Sequence, residues 1–361
     1  MTDYLLYCRA GYEADVAAEI DDKLAKKGGY GFAKLIKNKG FLRYSLQSKS
    51  ALPHIDLPHI DNLIFARQKL HILKDLSFDD TQDRILSILT ALDALDLPMF
   101  GDVYLEYADT EEGRTIAKFC KKFTVPLRSA LRKHARLTKK ENSKKPYLHL
   151  FFEQSGHCVL AYSNAEDRNS DFLGIRRLKF PHDAPSRSTL KLEEAISLFY
   201  TNDQQAQLFN KGMTAVDLGA CPGGWTYQLV SRGLKVEAVD NGAIAESLIS
   251  TGMVKHYALD GFAYRPQDGH VDWLVCDMIE KPDKVAELML QWLKNNWASA
   301  TIFNLKLPMK KRYQTVDMLI SKINNELHQD SGVILKAKHL YHNRDEVTVT
   351  IIKNAALFEL T

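Results

Sequence analysis

The sequence of 361 residues has no apolar run long enough to span a membrane. Its first twenty residues, MTDYLLYCRAGYEADVAAEI, lack the basic start and long apolar core of a secretion signal. Cysteine is sparse: Cys8, Cys120, Cys158, Cys221 and Cys276 are scattered, with no CxxC pair and no spacing that would hold a metal. An odd, dispersed set argues against a disulfide framework and for reduced thiols in a cytoplasmic protein. Net charge is only +3, so no overall excess of one sign points to a partner.

That small net charge hides an uneven spread. Residues 114–145 carry twelve Lys or Arg and one acid, Glu141, which leaves the remainder of the chain at about −8. A basic segment on an otherwise acidic chain points to a polyanionic partner. Within it, Arg128, Arg132 and Arg136 are spaced to share one face of a helix near VPLRSALRKHARL, with Lys133 beside them. Lys139 and Lys140 add charge in a loop. Such cations neutralise phosphates and position RNA without reading bases. Phe119, Phe123 and Tyr147 are near, and are expected in the core.

The length predicts more than one domain. Residues 1–59 read as strand, amphipathic helix and hairpin (DYLLYCR, YEADVAAEIDDKLAKKG, GFAKLIKNKGFLRYSL), a small α+β, ferredoxin-like module. The LPHID repeat that follows is too short for a solenoid. A second α+β module is expected over 60–165, with a helix over 79–95 and strands in GDVYLEYA and YLHLFFEQSGHCVLAYS. Residues 166–185, polar and with Pro181 and Pro185, read as a linker. From 186 to 361 strands and helices alternate. That predicts a mostly parallel sheet covered by helices on both faces, a Rossmann-like α/β domain. Its last two strands, GVILKAKHLYH and EVTVTIIKN, are joined by only NRD and so form an antiparallel hairpin at the edge of a seven-stranded sheet.

In such sheets ligands bind beyond the carboxyl ends of the strands. AVDLGACPGGWTYQLV places Gly219, Gly223 and Gly224 at one of these ends, where bare backbone can approach a ligand. Cys221 and Pro222 break the GxGxxG spacing, and the proline lacks a donor that a pyrophosphate cradle would use. A dinucleotide is therefore disfavoured. Asp240, about twenty residues on, can accept from ribose hydroxyls, and Asp260 from an adenine amine. Each alone could be a turn residue. Three strand ends offering the right group point to an adenosine-bearing cofactor. Cys221 and Cys276 are expected as small buried side chains.

Asp277 and Lys306 close two further apolar strands, and Glu346 opens the last one at the same edge. Lys191 borders the buried stripe of Leu192, Ala195, Ile196 and Phe199 on the helix entering the domain. Four such charges can be a solvated ion-pair network. Alternatively, burial and neighbouring positive charge can lower a lysine's pKa until it serves as a general base.

DLGACPGGWT resembles the S-adenosylmethionine motif of FtsJ-like 2′-O-ribose methyltransferases, and Lys191, Asp277, Lys306 and Glu346 match their K-D-K-E tetrad in order. RAGYEADVAAEI, LIFARQ, PSRSTLKLEEA and VCDMIEKP extend the likeness over the whole chain to the ribosomal RNA large-subunit methyltransferase M family. That resemblance implies α+β RNA-binding modules, including a THUMP domain, ahead of a methyltransferase domain. It implies 2′-O-methylation of a cytidine in the peptidyl-transferase loop of 23S rRNA, with S-adenosylmethionine as cofactor and no metal. Carried over residue by residue, it assigns cofactor contacts to Ser188, Cys221, Pro222, Gly223, Gly224, Asp240, Asp260 and Asp277, and the base to Lys306. Asp277 would orient the lysines, and Glu346 would balance Lys191 or hold the target ribose. A cytoplasmic monomer acting on 23S rRNA is expected. Two rivals stand beside this reading. A nicotinamide-dependent dehydrogenase fits the sheet but leaves the lysines idle. A non-catalytic ribosome assembly factor with a vestigial methyltransferase fold leaves the intact tetrad unexplained.

Overall fold

Among the described residues, the alternating patterns along the chain sort into two sheets of seven strands each. The computed structural model describes residues 2–47, 55–79, 81–328 and 332–353. These form two units, Met1–Arg176 and Arg177–Thr361.

The first unit runs β1 (Thr2–Tyr7), α1 (Glu13–Ala25), β2 (Tyr30–Leu35), β3 (Phe41–Gln47), β4 (Gln68–Ser77), α2 (Arg84–Asp93), β5 (Asp102–Tyr107), α3 (Glu111–Arg114), α4 (Ala117–Lys133), β6 (Tyr147–Gln154) and β7 (His157–Ser163). The strand order is β2-β3-β1-β4-β7-β6-β5. β4 was not expected. Its first residues, Gln68 and Lys69, are polar yet buried, and a bulge between Ile72 and Lys74 breaks its period of two. This strand pairs with β1 on one side and β7 on the other, so residues 1–59 and 60–165 contribute to one continuous sheet. Three buried carboxylates tie loops to it. Glu13 accepts from the backbone N–H groups of Gly11 and Gly40. Glu19 accepts from those of Ile64 and Phe65. Glu106 accepts from the Tyr7 hydroxyl at 2.8 Å, the Leu173 N–H at 2.9 Å and His149 Nδ1 at 2.8 Å.

The second unit runs α5 (Thr189–Phe199), α6 (Asn202–Leu208), β8 (Thr214–Leu218), α7 (Gly224–Val230), β9 (Lys235–Val239), α8 (Glu246–Ile249), β10 (Val254–Tyr257), β11 (Val271–Cys276), α9 (Pro282–Lys294), β12 (Ala298–Lys306), α10 (Arg312–Leu327), β13 (Ile334–Lys338) and β14 (Glu346–Ile352). The order is β10-β9-β8-β11-β12-β14-β13. The first five strands are parallel, and β14 runs antiparallel to both β12 and β13. This is the mixed seven-stranded α/β sheet expected from the sequence. The hairpin differs in one respect: β13 stops at Lys338, so its connection is residues 339–345, not NRD alone. Residues 52–54 of the LPHID repeat, residue 80 of the expected 79–95 helix and the end of the expected strand at Asn354 lie outside the described residues. The core beneath the sheet centres on Trp273, stacked on Phe209 with ring centroids 4.4 Å apart, its indole N–H held by the Leu208 carbonyl.

Candidate active site

Sheet polarity gathers the chemistry. β8, β9, β11 and β12 are parallel neighbours, so the residues following them share one edge. β12 ends at Lys306, and β14 begins directly opposite it at Glu346. Asp277 follows the last residue of β11, and Lys191 comes from the first turn of α5.

The four side chains meet. Lys191 Nζ lies 3.1 Å from Asp277 Oδ2 and 2.7 Å from Glu346 Oε1. Lys306 Nζ lies 3.1 Å from Glu346 Oε2. Glu346 therefore bridges the two lysines with one oxygen each. Its side chain is 4% exposed, against 16% for Lys191 and 25% for Lys306. Burial disfavours the charged form of Lys191 and of Glu346. For Lys191, Asp277 and Glu346 outweigh it and hold the ammonium above the usual lysine range. For Glu346, the two lysines outweigh it and hold the carboxyl below its usual range. Among the described residues Lys306 has one carboxylate partner where Lys191 has two.

Beside the tetrad lies a cleft of about 430 Å³, lined by Cys221, Asp240, Asp260, Asp277 and Glu280 among others. Four carboxylates face it, and no Lys or Arg is among the lining residues. A pyrophosphate would meet like charge there. The cleft suits a ligand that carries positive charge and presents hydroxyl or amine donors. Asp240 also clasps the glycine loop: Oδ2 accepts from the Cys221 N–H at 3.1 Å and Oδ1 from the Gly242 N–H at 2.7 Å. Asp260 Oδ1 accepts from the Phe262 N–H. Both carboxylates keep lone pairs for a ligand. Gly219, at φ +77°, closes the turn against Met278, whose Cγ would stand 2.6 Å from an added Cβ.

Ser188, Pro222, Gly223 and Gly224 are not among the residues lining the cleft. Gly223 and Gly224 are buried: a Cβ on Gly224 would stand 2.1 Å from Ser188 Oγ, and one on Gly223 would meet Leu248. Cys276 is buried as expected, but Cys221 is exposed. The turn that points its backbone N–H at Asp240 leaves its thiol on the cleft side.

The basic segment differs from the helical stripe expected. α4 ends at Lys133, and Ala135 adopts φ +55°. Arg136 thus lies beyond the helix and cannot share a face with Arg128 and Arg132. It pairs with Asp93 at 2.8 Å. Arg128 pairs with Asp102 at 2.8 Å, and Arg132 donates to the Thr138 carbonyl. Lys133, Lys139 and Lys140 are exposed.

Four polar residues of the site escaped the sequence reading. Asp217 is buried, with Thr226 donating to Oδ2 at 2.6 Å and, among the described residues, no partner on Oδ1; burial raises its carboxyl to about 7. Glu194 accepts from the Tyr341 and His342 N–H groups and from His342 Nδ1, pinning the 339–345 connection to α5. Asn304 and Thr348 are fully buried beside Asp277. For Asp217, Asn304 and Thr348 the available signal was a polar residue inside an apolar strand. Among the described residues, no group of three or more His, Cys, Asp or Glu could hold a metal ion, and no helix is long and apolar enough to cross a membrane.

Comparison with known proteins agrees along the whole length. Residues 1–70 match the RlmM ferredoxin-like domain, 83–164 the N-terminal model of ribosomal RNA large subunit methyltransferase M, and 184–323 FtsJ-like methyltransferase. The chain is 51% identical to the ribosomal RNA large subunit methyltransferase M of Alteromonas mediterranea over 358 residues, covering 98% of each. It is 48% identical to that of Vibrio vulnificus over 354 residues, covering 97% of this chain and 98% of the relative. For Photorhabdus asymbiotica the identity is 46%, covering 97% of this chain and 96% of the relative.

Proposed function

The chain belongs to the ribosomal RNA large subunit methyltransferase M family, and from that premise we propose that it methylates the 2′-hydroxyl of a cytidine in the peptidyl-transferase loop of 23S rRNA, using S-adenosylmethionine. The observation that carries this reading is the joined Lys191–Asp277–Lys306–Glu346 cluster beside a cleft lined by carboxylates alone among charged groups.

The cofactor supplies a methyl group already activated on a sulfonium. What this chain's residues must supply is a place for a cation and a base for a weakly acidic hydroxyl. Asp240, Asp260 and Asp277 fit the first task, since all three line the cleft and their charge complements a cationic, donor-rich ligand. Lys306 fits the second. Lys191 is held charged by two carboxylates, whereas among the described residues Lys306 has one, which leaves Lys306 the less committed of the two lysines. Neutral Lys306 Nζ then takes the proton of the 2′-hydroxyl as that oxygen attacks. Glu346, fixed opposite Lys306 by strand register, receives the ammonium that forms. Asp277 keeps Lys191 from competing for the same role. Alignment of hydroxyl and methyl contributes further, and fixed in-line geometry can supply about 7–11 kcal/mol of a barrier.

The first unit contributes RNA affinity through a THUMP-type region, with exposed Lys133, Lys139 and Lys140 meeting phosphates. Arg128 and Arg136 serve the fold through their ion pairs. Mass-spectrometric mapping of ribose methylation in 23S rRNA, from cells with and without this protein, tests the reading. One cytidine in the peptidyl-transferase loop should lose its 2′-O-methyl group when the protein is absent. An unchanged map would refute it.

A further inference from the structure

Asn304 lies two residues before Lys306 on β12 and is completely buried. A buried amide needs partners at both ends. Its Nδ2 donates to Asp277 Oδ1 at 2.7 Å, and its Oδ1 accepts from Thr348 Oγ1 at 2.6 Å. Thr348 stands opposite it in the β12–β14 register and is equally buried. Thr348 Oγ1 accepts from Asn343 Nδ2 at 2.9 Å, and the same Nδ2 donates to the Glu346 backbone carbonyl at 3.1 Å.

The direction of this chain is fixed by chemistry. An ionised carboxylate only accepts, so Asn304 must turn its NH₂ to Asp277. Its carbonyl oxygen is then left facing Thr348, which must donate its one hydroxyl proton. Thr348 keeps only lone pairs for Asn343. Every donor in the series therefore points from the 339–345 connection toward Asp277, and the series begins at the residue that grips the backbone of Glu346. Two apolar side chains would fill the same strand positions without buried polar groups to satisfy. The polar pair needs a reason, and the carboxylate at its end provides one.

We propose that Asn304, oriented by Thr348 and Asn343, is a positioning residue that keeps Asp277 aligned on Lys191. With Lys191 satisfied by Asp277, the second oxygen of Glu346 stays with Lys306. The kinetic part of the test rests on the function proposed above; the structural part does not.

Thr348→Val keeps the shape and removes the hydroxyl, whereas Thr348→Ser restores it. In crystal structures of the full-length variants, Thr348→Val should show the Asn304 side chain moved off Asp277 and the Asp277 carboxylate withdrawn from Lys191, with both in place in Thr348→Ser. An unchanged Asp277–Lys191 pair in Thr348→Val would overturn the proposal. With S-adenosylmethionine and a 23S rRNA transcript, Thr348→Val should lose kcat by about tenfold to a hundredfold with little change in KM for the cofactor. Thr348→Ser should stay near the wild-type rate. Asn304→Asp gives the sharpest signature, because its carboxyl can donate to Asp277 only while protonated. Its rate should decline on the alkaline side, where the wild-type profile levels off. Equal losses in the Val and Ser variants, or an Asn304→Asp profile parallel to wild type, would count against the relay. If the wild-type enzyme methylates no transcript, the proposed function fails, and the crystal structures still decide the relay.

Discussion

In the first unit Glu106 is fully buried, and Tyr7, His149 and the N–H of Leu173 all turn toward its carboxylate. In the second unit Asp217 is just as buried, and Thr226 alone serves it. The same contrast holds more widely. Glu13 and Glu19 are consumed by backbone donors that fasten loops, whereas Asp240 and Asp260 keep capacity facing a cleft. Arg128 and Arg136 are likewise committed to Asp102 and Asp93, while Lys306 shares the Glu346 carboxylate with Lys191. Charge with all its partners in place builds structure. Charge with partners missing is available to a ligand or a proton.

That contrast can be broken by removing one carboxylate from each side. Glu106→Ala should cost roughly 3–5 kcal/mol of stability, since three buried donors lose their acceptor. Urea unfolding measures it, and a loss under 1 kcal/mol would show that the cluster is not a clasp. Asp217→Asn should act in the opposite sense. The folded carboxyl titrates at about 7 and the unfolded one near 4, so between these values the folded state binds the extra proton. Wild-type stability should therefore fall as pH rises from about 4 to about 7, then level off. The Asn variant should lack this decline and gain on wild type across the same window, at up to about 1.4 kcal/mol per pH unit. Parallel stability curves would contradict the assignment.

The smallest effect sharpens the distinction among cations. Arg136→Ala should cost about 0.2–1 kcal/mol of stability and leave affinity for a 23S rRNA fragment unchanged. Replacing Lys133, Lys139 and Lys140 together by Ala should do the reverse: stability holds, affinity falls, and the salt-dependence slope drops by about two. If Arg136→Ala weakens RNA binding as much as the triple variant, the split between committed and available charge is wrong in this unit.

Much of this was legible in the sequence. Period-two and period-3.6 patterns gave the second sheet strand by strand, because its strands are apolar and bounded by glycine, proline or charge. The tetrad was legible because each member ends or begins an apolar segment. β4 was not, because Gln68 and Lys69 are buried through partners distant in sequence, and Lys69 reaches the Pro58 carbonyl and Asp167. Arg136 was misread because i, i+4, i+8 spacing does not show where a helix stops. Asn304 and Thr348 mean nothing apart, and only the register of β12 against β14 puts one against the other. Glu194 likewise acts on a connection that lies far along the chain from it.

The central claim is that Lys306 accepts the proton of the ribose hydroxyl. Single-turnover transfer of radiolabelled methyl from S-adenosylmethionine to a 23S rRNA transcript, comparing wild type with Lys306→Ala, tests it directly when paired with calorimetric binding of S-adenosylhomocysteine. Loss of transfer by about a hundredfold to ten-thousandfold, with cofactor-product affinity within a few-fold of wild type, is the predicted result. A Lys306→Ala enzyme that binds normally and still transfers within tenfold of the wild-type rate would contradict it.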